Sequence, residues 1–273
     1  MIYKKKVERI QNFKNTERSF DPDSSPTAWK HYIVIYSKIL KQYSDNYKLN
    51  RIKVWLRMGK NSKEVTMGAD TDFTFNSEKQ KGNAPYYVFK KIVDNDEEIT
   101  NKKKETILNL LDECSKQHHS LVNFSIMPQT GGMNNFKSNY RFDRFINDLN
   151  CFYTGVADLG LSDAGEIGRH PNIKVPSYLK RNTCNKQMLI KYLLKFENIN
   201  CYCSNHYQID SKFVEKLICF YNKVEETNKH RALKTASQVE EYCNLAKEYW
   251  DIREEKFKEI YSENNEHDIK INI

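Results

Sequence analysis

Amphipathic stripes at helical spacing follow one another along this chain with few strands between them, and that order most restricts its fold. Trp29, Tyr32, Ile33, Tyr36, Ile39, Leu40 and Tyr43 recur at i, i+3, i+4 and i+7, which predicts a helix over 29–43 with one apolar face. Both Pro22 and Pro26 push the residue before them out of the helical region, and Ser25 or Thr27 can cap the start of that helix. A second stripe, 100–118, starts at Thr100 and carries Ile107, Leu110, Leu111 and Cys114. His118 falls on the same face, where a histidine usually serves as a hydrogen-bonded core residue. Residues 141–153 give the clearest pattern: Phe142, Phe145, Ile146, Leu149, Phe152 and Tyr153. Further helices are predicted at 186–197, 210–226 and 236–261, the last with Cys243, Ala246, Trp250, Phe257 and Ile260 on one face. Consecutive helices argue against a doubly wound α/β fold, in which helices and strands alternate.

Three segments alternate instead. Ile52, Val54 and Leu56 face one way over 51–58, and Gly59-Lys60-Asn61 reads as a turn into a return strand over 63–67. Leu121–Met127 alternates and ends at Pro128. Pro85–Phe89 is short, apolar and compatible with either element, and 68–84 reads as a polar loop. The expected fold class is α+β, a predominantly helical single domain over 1–273 with a small antiparallel sheet. Residues 1–27 form a polar, basic N-terminal segment. Residues 154–185 form a long irregular loop, holding six of the fifteen Gly and Pro residues. No internal repeat is present.

Composition agrees. With 39% hydrophobic and 12% aromatic residues the chain is too apolar for disorder, and 9 Gly and 6 Pro exclude collagen-like or linker sequences. No apolar run reaches the ~18 residues of a membrane helix, so no membrane partner is expected. The N-terminus is basic but no apolar run comes after it, unlike a secretory signal. Seven cysteines, an odd number, several of them inside helical stripes, point to free thiols in a reducing compartment and a cytoplasmic location. The net charge is +8, and residues 1–60 alone carry 14 basic and 5 acidic side chains.

Four groups of residues bear on chemistry. Cys184, Cys201, Cys203 and His206 are four N/S donors, but C-x-C is tighter than the usual zinc spacing, so ordinary thiols at a helix end are the stronger reading. The 128–138 loop joins a strand end to a helix start and holds Gln129, Thr130, Gly131, Gly132, Asn134 and Asn135. Paired glycines let a backbone approach a ligand closely, and N–H groups at such a junction suit an anion. Arg141 and Arg144 come next, one turn apart, and can close on that anion; the structural alternative pairs Arg144 with Asp148. Asp70 with Asp72, and Asp21 with Asp23, are paired carboxylates that can bind a cation or do acid/base work, although Asp also simply favours turns. No P-loop ending, dinucleotide fingerprint, H-E-x-x-H or serine elbow is present, so no cofactor and no metal is expected.

Asp21-Pro22-Asp23 and Ser25-Pro26-Thr27, with Tyr32 and Ser37-Lys38 after them, resemble the N-terminal signature of a bacterial family catalogued only as a domain of unknown function. In that family an aromatic-rich helix ends in Trp-Ser-Lys; here Tyr36 stands in the Trp position. Phe142-Asp143-Arg144-Phe145, closing on Phe152-Tyr153, is similar to the family's Asp-Arg-Phe-Asp helix, and Tyr249-Trp250 with Arg253 fits its C-terminal helix loosely. The resemblance covers roughly a third of the chain. It implies a cytoplasmic single-domain protein and no activity.

These residues support two functions from different classes. The first is a binding or interaction protein that contacts nucleic acid or an acidic partner through Lys4, Lys5, Lys6, Arg9, Lys14 and Arg18. The second is an enzyme or sensor that holds an anionic, nucleotide-like small molecule at the 128–138 loop. No constellation assigns a reaction.

Overall fold

The computed structural model describes residues 13–14, 22, 26–36, 55–58, 65–76, 85–129, 141–155, 193–227 and 233–264. It is mostly helical with one small antiparallel sheet, as expected. In chain order the elements are α1 (Pro26–Ile35), β1 (Trp55–Met58), β2 (Val65–Thr71), α2 (Pro85–Asp94), α3 (Asn101–Gln117), β3 (Phe124–Gln129), α4 (Phe142–Tyr153), α5 (Ile199–His206), α6 (Ser211–Thr227) and α7 (Ala236–Asn264).

The sheet runs β1-β2-β3, both pairs antiparallel, with Leu56 opposite Met67 and Gly68 opposite Met127. Two readings need correction. The return strand does not stop at 67 but continues to Thr71, and the supposed polar loop after it turns inward, burying Asp72, Phe73, Thr74 and Phe75. The third strand is preceded by one turn of 3-10 helix, Leu121–Asn123, and does not end at Pro128, which pairs with Met67. A proline is tolerated there because β3 is an edge strand of this sheet, where a missing N–H breaks no ladder.

The helices begin where their caps dictate. Thr100 accepts a hydrogen bond from the Lys103 N–H at 3.3 Å to start α3. Proline occupies the first position of both α1 and α2, where its fixed φ fits and its missing N–H is no loss. That proline settles the ambiguous 85–89 segment as helix. α5 was not anticipated. Asn198 caps it by accepting from the Cys201 N–H at 2.9 Å. Of the helix expected at 29–43, residues 37–43 lie outside the described residues, as do most of 186–197, nearly all of the irregular 154–185 segment and most of 1–27.

α7 organises the core. Its buried stripe, Val239, Tyr242, Ala246, Tyr249, Trp250, Arg253 and Phe257, packs against α1, α2, α3, α6 and the 3-10 turn. The sheet reaches the same core through Ala69, Phe124 and Ile126. Phe73 stands with its ring centroid 5.1–5.3 Å from those of Phe142, Tyr242 and Tyr249. Such tilted aromatic pairs add about 0.5–1.5 kcal/mol each beyond the area they bury.

Candidate functional site

Arg253 occupies a core position of α7 with none of its side chain exposed. A buried charge survives only if it is paired and hydrogen-bonded. Nη1 donates to Asp72 Oδ2 at 2.7 Å and to the Val122 carbonyl at 2.9 Å. Nη2 donates to the Phe124 carbonyl at 3.0 Å and to Gln208 Oε1 at 3.3 Å. Asp72 Oδ2 also accepts from the Ser125 and Tyr249 hydroxyls, both at 2.7 Å. Burial opposes the guanidinium charge, yet the surrounding phenols and Asp72 keep its pKa above the usual value. Beside it, Tyr36 donates to the His206 carbonyl at 2.8 Å. Asn123 uses its whole amide: Oδ1 accepts from the Phe73 N–H and Trp250 Nε1, and Nδ2 donates to the Phe73 and His118 carbonyls.

This network is closed to solvent and ties α7 to the sheet and to the start of the segment after β2. It overturns the cation reading of Asp70 and Asp72. Asp72 is wholly buried against an arginine, whereas Asp70 turns its Oδ1 to its neighbour's N–H, the Thr71 amide, at 2.8 Å. Asp21 and Asp23 lie outside the described residues.

The loop mouth is bounded by the end of β3 and the start of α4. Gln129 pairs with Thr66 in the sheet, while Thr130, Gly131, Gly132, Asn134 and Asn135 lie outside the described residues. At the other edge, Phe142, Phe145, Ile146 and Leu149 fill the core as their spacing requires. Arg141 does not project into solvent. It grips Asp143, Nε to Oδ1 at 3.0 Å and Nη2 to Oδ2, and its guanidinium carbon sits 5.6 Å from the centre of the Phe220 ring. Burial would lower the Arg141 pKa, but Asp143 raises it. Its charge is therefore already balanced inside the protein. Arg144 differs. It is half-buried, its Nε is fully buried and meets no acceptor, and no ion pair joins it to Asp148 among the described residues.

Of the basic N-terminal candidates only Lys14 is among the described residues. It bridges Asp251 at 2.5 Å and Glu254 at 3.2 Å on α7. Lys4, Lys5, Lys6, Arg9 and Arg18 lie outside the described residues.

α5 brings Cys201, Cys203 and His206 onto one short helix, and Cys184 lies outside the described residues. Among the described residues no group of three metal-binding side chains forms. His206 is occupied otherwise. Its Nδ1 meets the Ile126 carbonyl at 3.2 Å, its ring stacks on Tyr202 at 4.3 Å, and burial pushes its pKa down to about 3. His118 acts as expected, its Nδ1 accepting from the Phe75 N–H at 3.3 Å.

Sequence reasoning missed Arg253 as the centre of the network. The available signal was its position: residues 246, 250, 253 and 257 share the apolar stripe of α7, so an arginine among them demands a buried carboxylate. No helix among the described residues is long and apolar enough to cross a membrane. No family model, no curated protein and no solved structure matches the chain.

Proposed function

We propose that this chain is a binding protein for an anionic small molecule, nucleotide-like in charge, held at the mouth of the 128–138 loop, with Arg144 as the residue that meets it. The observation that supports this reading is the Arg144 Nε–H, buried and without an acceptor. A buried donor left unsatisfied costs about 1–3 kcal/mol, and more when charged. A phosphate or carboxylate oxygen would satisfy it. Arg141, neutralised by Asp143, would fix the start of α4 rather than hold the ligand. Gly131, Gly132 and the flanking amides would supply backbone donors.

A thermal-shift series against inorganic phosphate and nucleoside mono-, di- and triphosphates tests this. A ligand at a hundredfold excess over Kd raises stability by about 2.7 kcal/mol. Arg144→Ala should fold normally and lose that rise. A rise that survives in Arg144→Ala sinks the proposal.

The excess of positive charge in residues 1–60 favours a second reading, contact with nucleic acid or an acidic partner through Lys4, Lys5, Lys6, Arg9 and Arg18. Lys14, held by Asp251 and Glu254, would then serve as the anchor of that segment. Binding to random DNA and RNA at two salt concentrations decides it: phosphate contacts weaken steeply with salt, and no binding at low salt removes the nucleic-acid version.

A further inference from the structure

Cys114 and Cys243 face each other where α3 packs on α7. Cys114 ends the buried stripe Ile107–Leu111–Cys114, Cys243 lies beside Tyr242 on α7, and both are fully buried. Cys114 Sγ donates to the Cys243 carbonyl oxygen at 3.7 Å, so the Cys114 side chain lies directly against Cys243 across the crossing. Two surface ion pairs hold the same helices in register, Lys103 with Glu240 at 2.5 Å and Lys247 with Glu113 at 2.9 Å. Small side chains at a helix crossing need not be thiols, since alanine or serine would also permit close approach. Two cysteines in contact across the crossing have a chemistry that those residues lack.

We propose that Cys114 and Cys243 are a dithiol pair that closes into a disulfide under a hydroperoxide, locking α3 to α7. In the first step one sulfur, as thiolate, attacks the terminal peroxide oxygen. The O–O bond breaks, a sulfenic acid forms, and the alcohol, or water from hydrogen peroxide, leaves with the proton. In the second step the other sulfur attacks the sulfenic sulfur. The S–S bond forms, the S–O bond breaks, and hydroxide leaves as water with the second proton. Two electrons pass from the two thiols to the peroxide. The neighbouring thiol and burial both push the Cys243 pKa up, so the closed protein reacts slowly and local parting of α3 from α7 sets the rate.

The two cysteines lie on separate tryptic fragments with no other cysteine, 105–116 and 235–247. The full chain is treated briefly with iodoacetamide to cap accessible thiols, including exposed Cys219. It is then exposed to hydrogen peroxide in buffer and in urea below the unfolding transition. After quenching, the digest is read by mass spectrometry without reductant. The expected product is 105–116 joined to 235–247 with the loss of two hydrogens, formed faster in the urea arm. It should be absent in Cys114→Ala and raise the urea midpoint until dithiothreitol is added. Recovery of the two fragments unlinked in both arms, as thiols or as sulfinic acids, overturns the pairing. A linked protein with a lower midpoint overturns the lock.

Discussion

Replacing Asp72 by asparagine keeps the shape of the side chain and removes its charge. Arg253 then remains wholly buried without its counter-charge. Asp72 Oδ2 accepts three hydrogen bonds, from Arg253, Ser125 and Tyr249, each 2.7 Å long. Removing one partner of a buried pair costs about 3–5 kcal/mol, because the other charge is left uncompensated. Against a total stability of roughly 5–15 kcal/mol that is a large fraction. In urea, with a slope of ~2 kcal/mol per molar, the midpoint should fall by about 1.5–2.5 M. Arg253→Met should fall by a similar amount, since it strands Asp72. The double variant Asp72→Leu/Arg253→Met should be more stable than either single, because no charge is then buried. Equilibrium unfolding monitored by tryptophan fluorescence reads all four proteins. An Asp72→Asn midpoint within ~0.5 M of the parent, or a double variant that falls by the sum of the singles, would refute the reasoning.

The same interior sets two further outcomes. His206 has a folded-state pKa of about 3 against an ordinary 6.5, so the unfolded chain takes up its proton first as pH falls. Stability should therefore drop between pH 6.5 and 3 by up to about 1.4 kcal/mol per unit from this group; denaturant midpoints at pH 6.5 and 5.0 should differ less in His206→Phe, and an unchanged slope counts against it. Gln208 sits at φ 53°, just past the end of α5, and its side chain reaches both Arg253 and the Asn205 carbonyl. Gln208→Val should cost more than Gln208→Gly by roughly 1–2 kcal/mol, because only glycine takes that backbone without penalty; equal losses in urea unfolding would show that the backbone carries no strain.

Much of the fold could be read in advance because its determinants are local. The stripe of α4 and the cap at Thr100 are written in neighbouring residues, and both appear where expected. The segment after β2 could not be read this way. Asp72 and Ser125 look like loop and strand polarity until Arg253, far away in sequence, brings a charge into the core to meet Asp72, to which Ser125 also donates. Pro128 misled in a similar manner: a proline ends a central strand, but whether β3 is an edge strand is decided by tertiary structure. Around the loop mouth, spacing placed Arg141 and Arg144 one turn apart but could not tell which guanidinium Asp143 would neutralise. Arg141 reaches forward two residues to Asp143 in the first turn, while Phe142 between them is buried in the core.

The separation between Asp72 and Arg253 also has a consequence in time. The two partners lie 181 residues apart. At about 5–20 residues per second of synthesis, Asp72 leaves the ribosome roughly 10–40 s before the arginine that neutralises it. Through that interval the sheet and the earlier helices cannot close over the carboxylate without burying a lone charge, and the surfaces destined for α7 stay bare. The nascent chain should therefore remain protease-sensitive and chaperone-bound until residues 236–264 emerge. Closure of this core is an event after translation of α7, not during it.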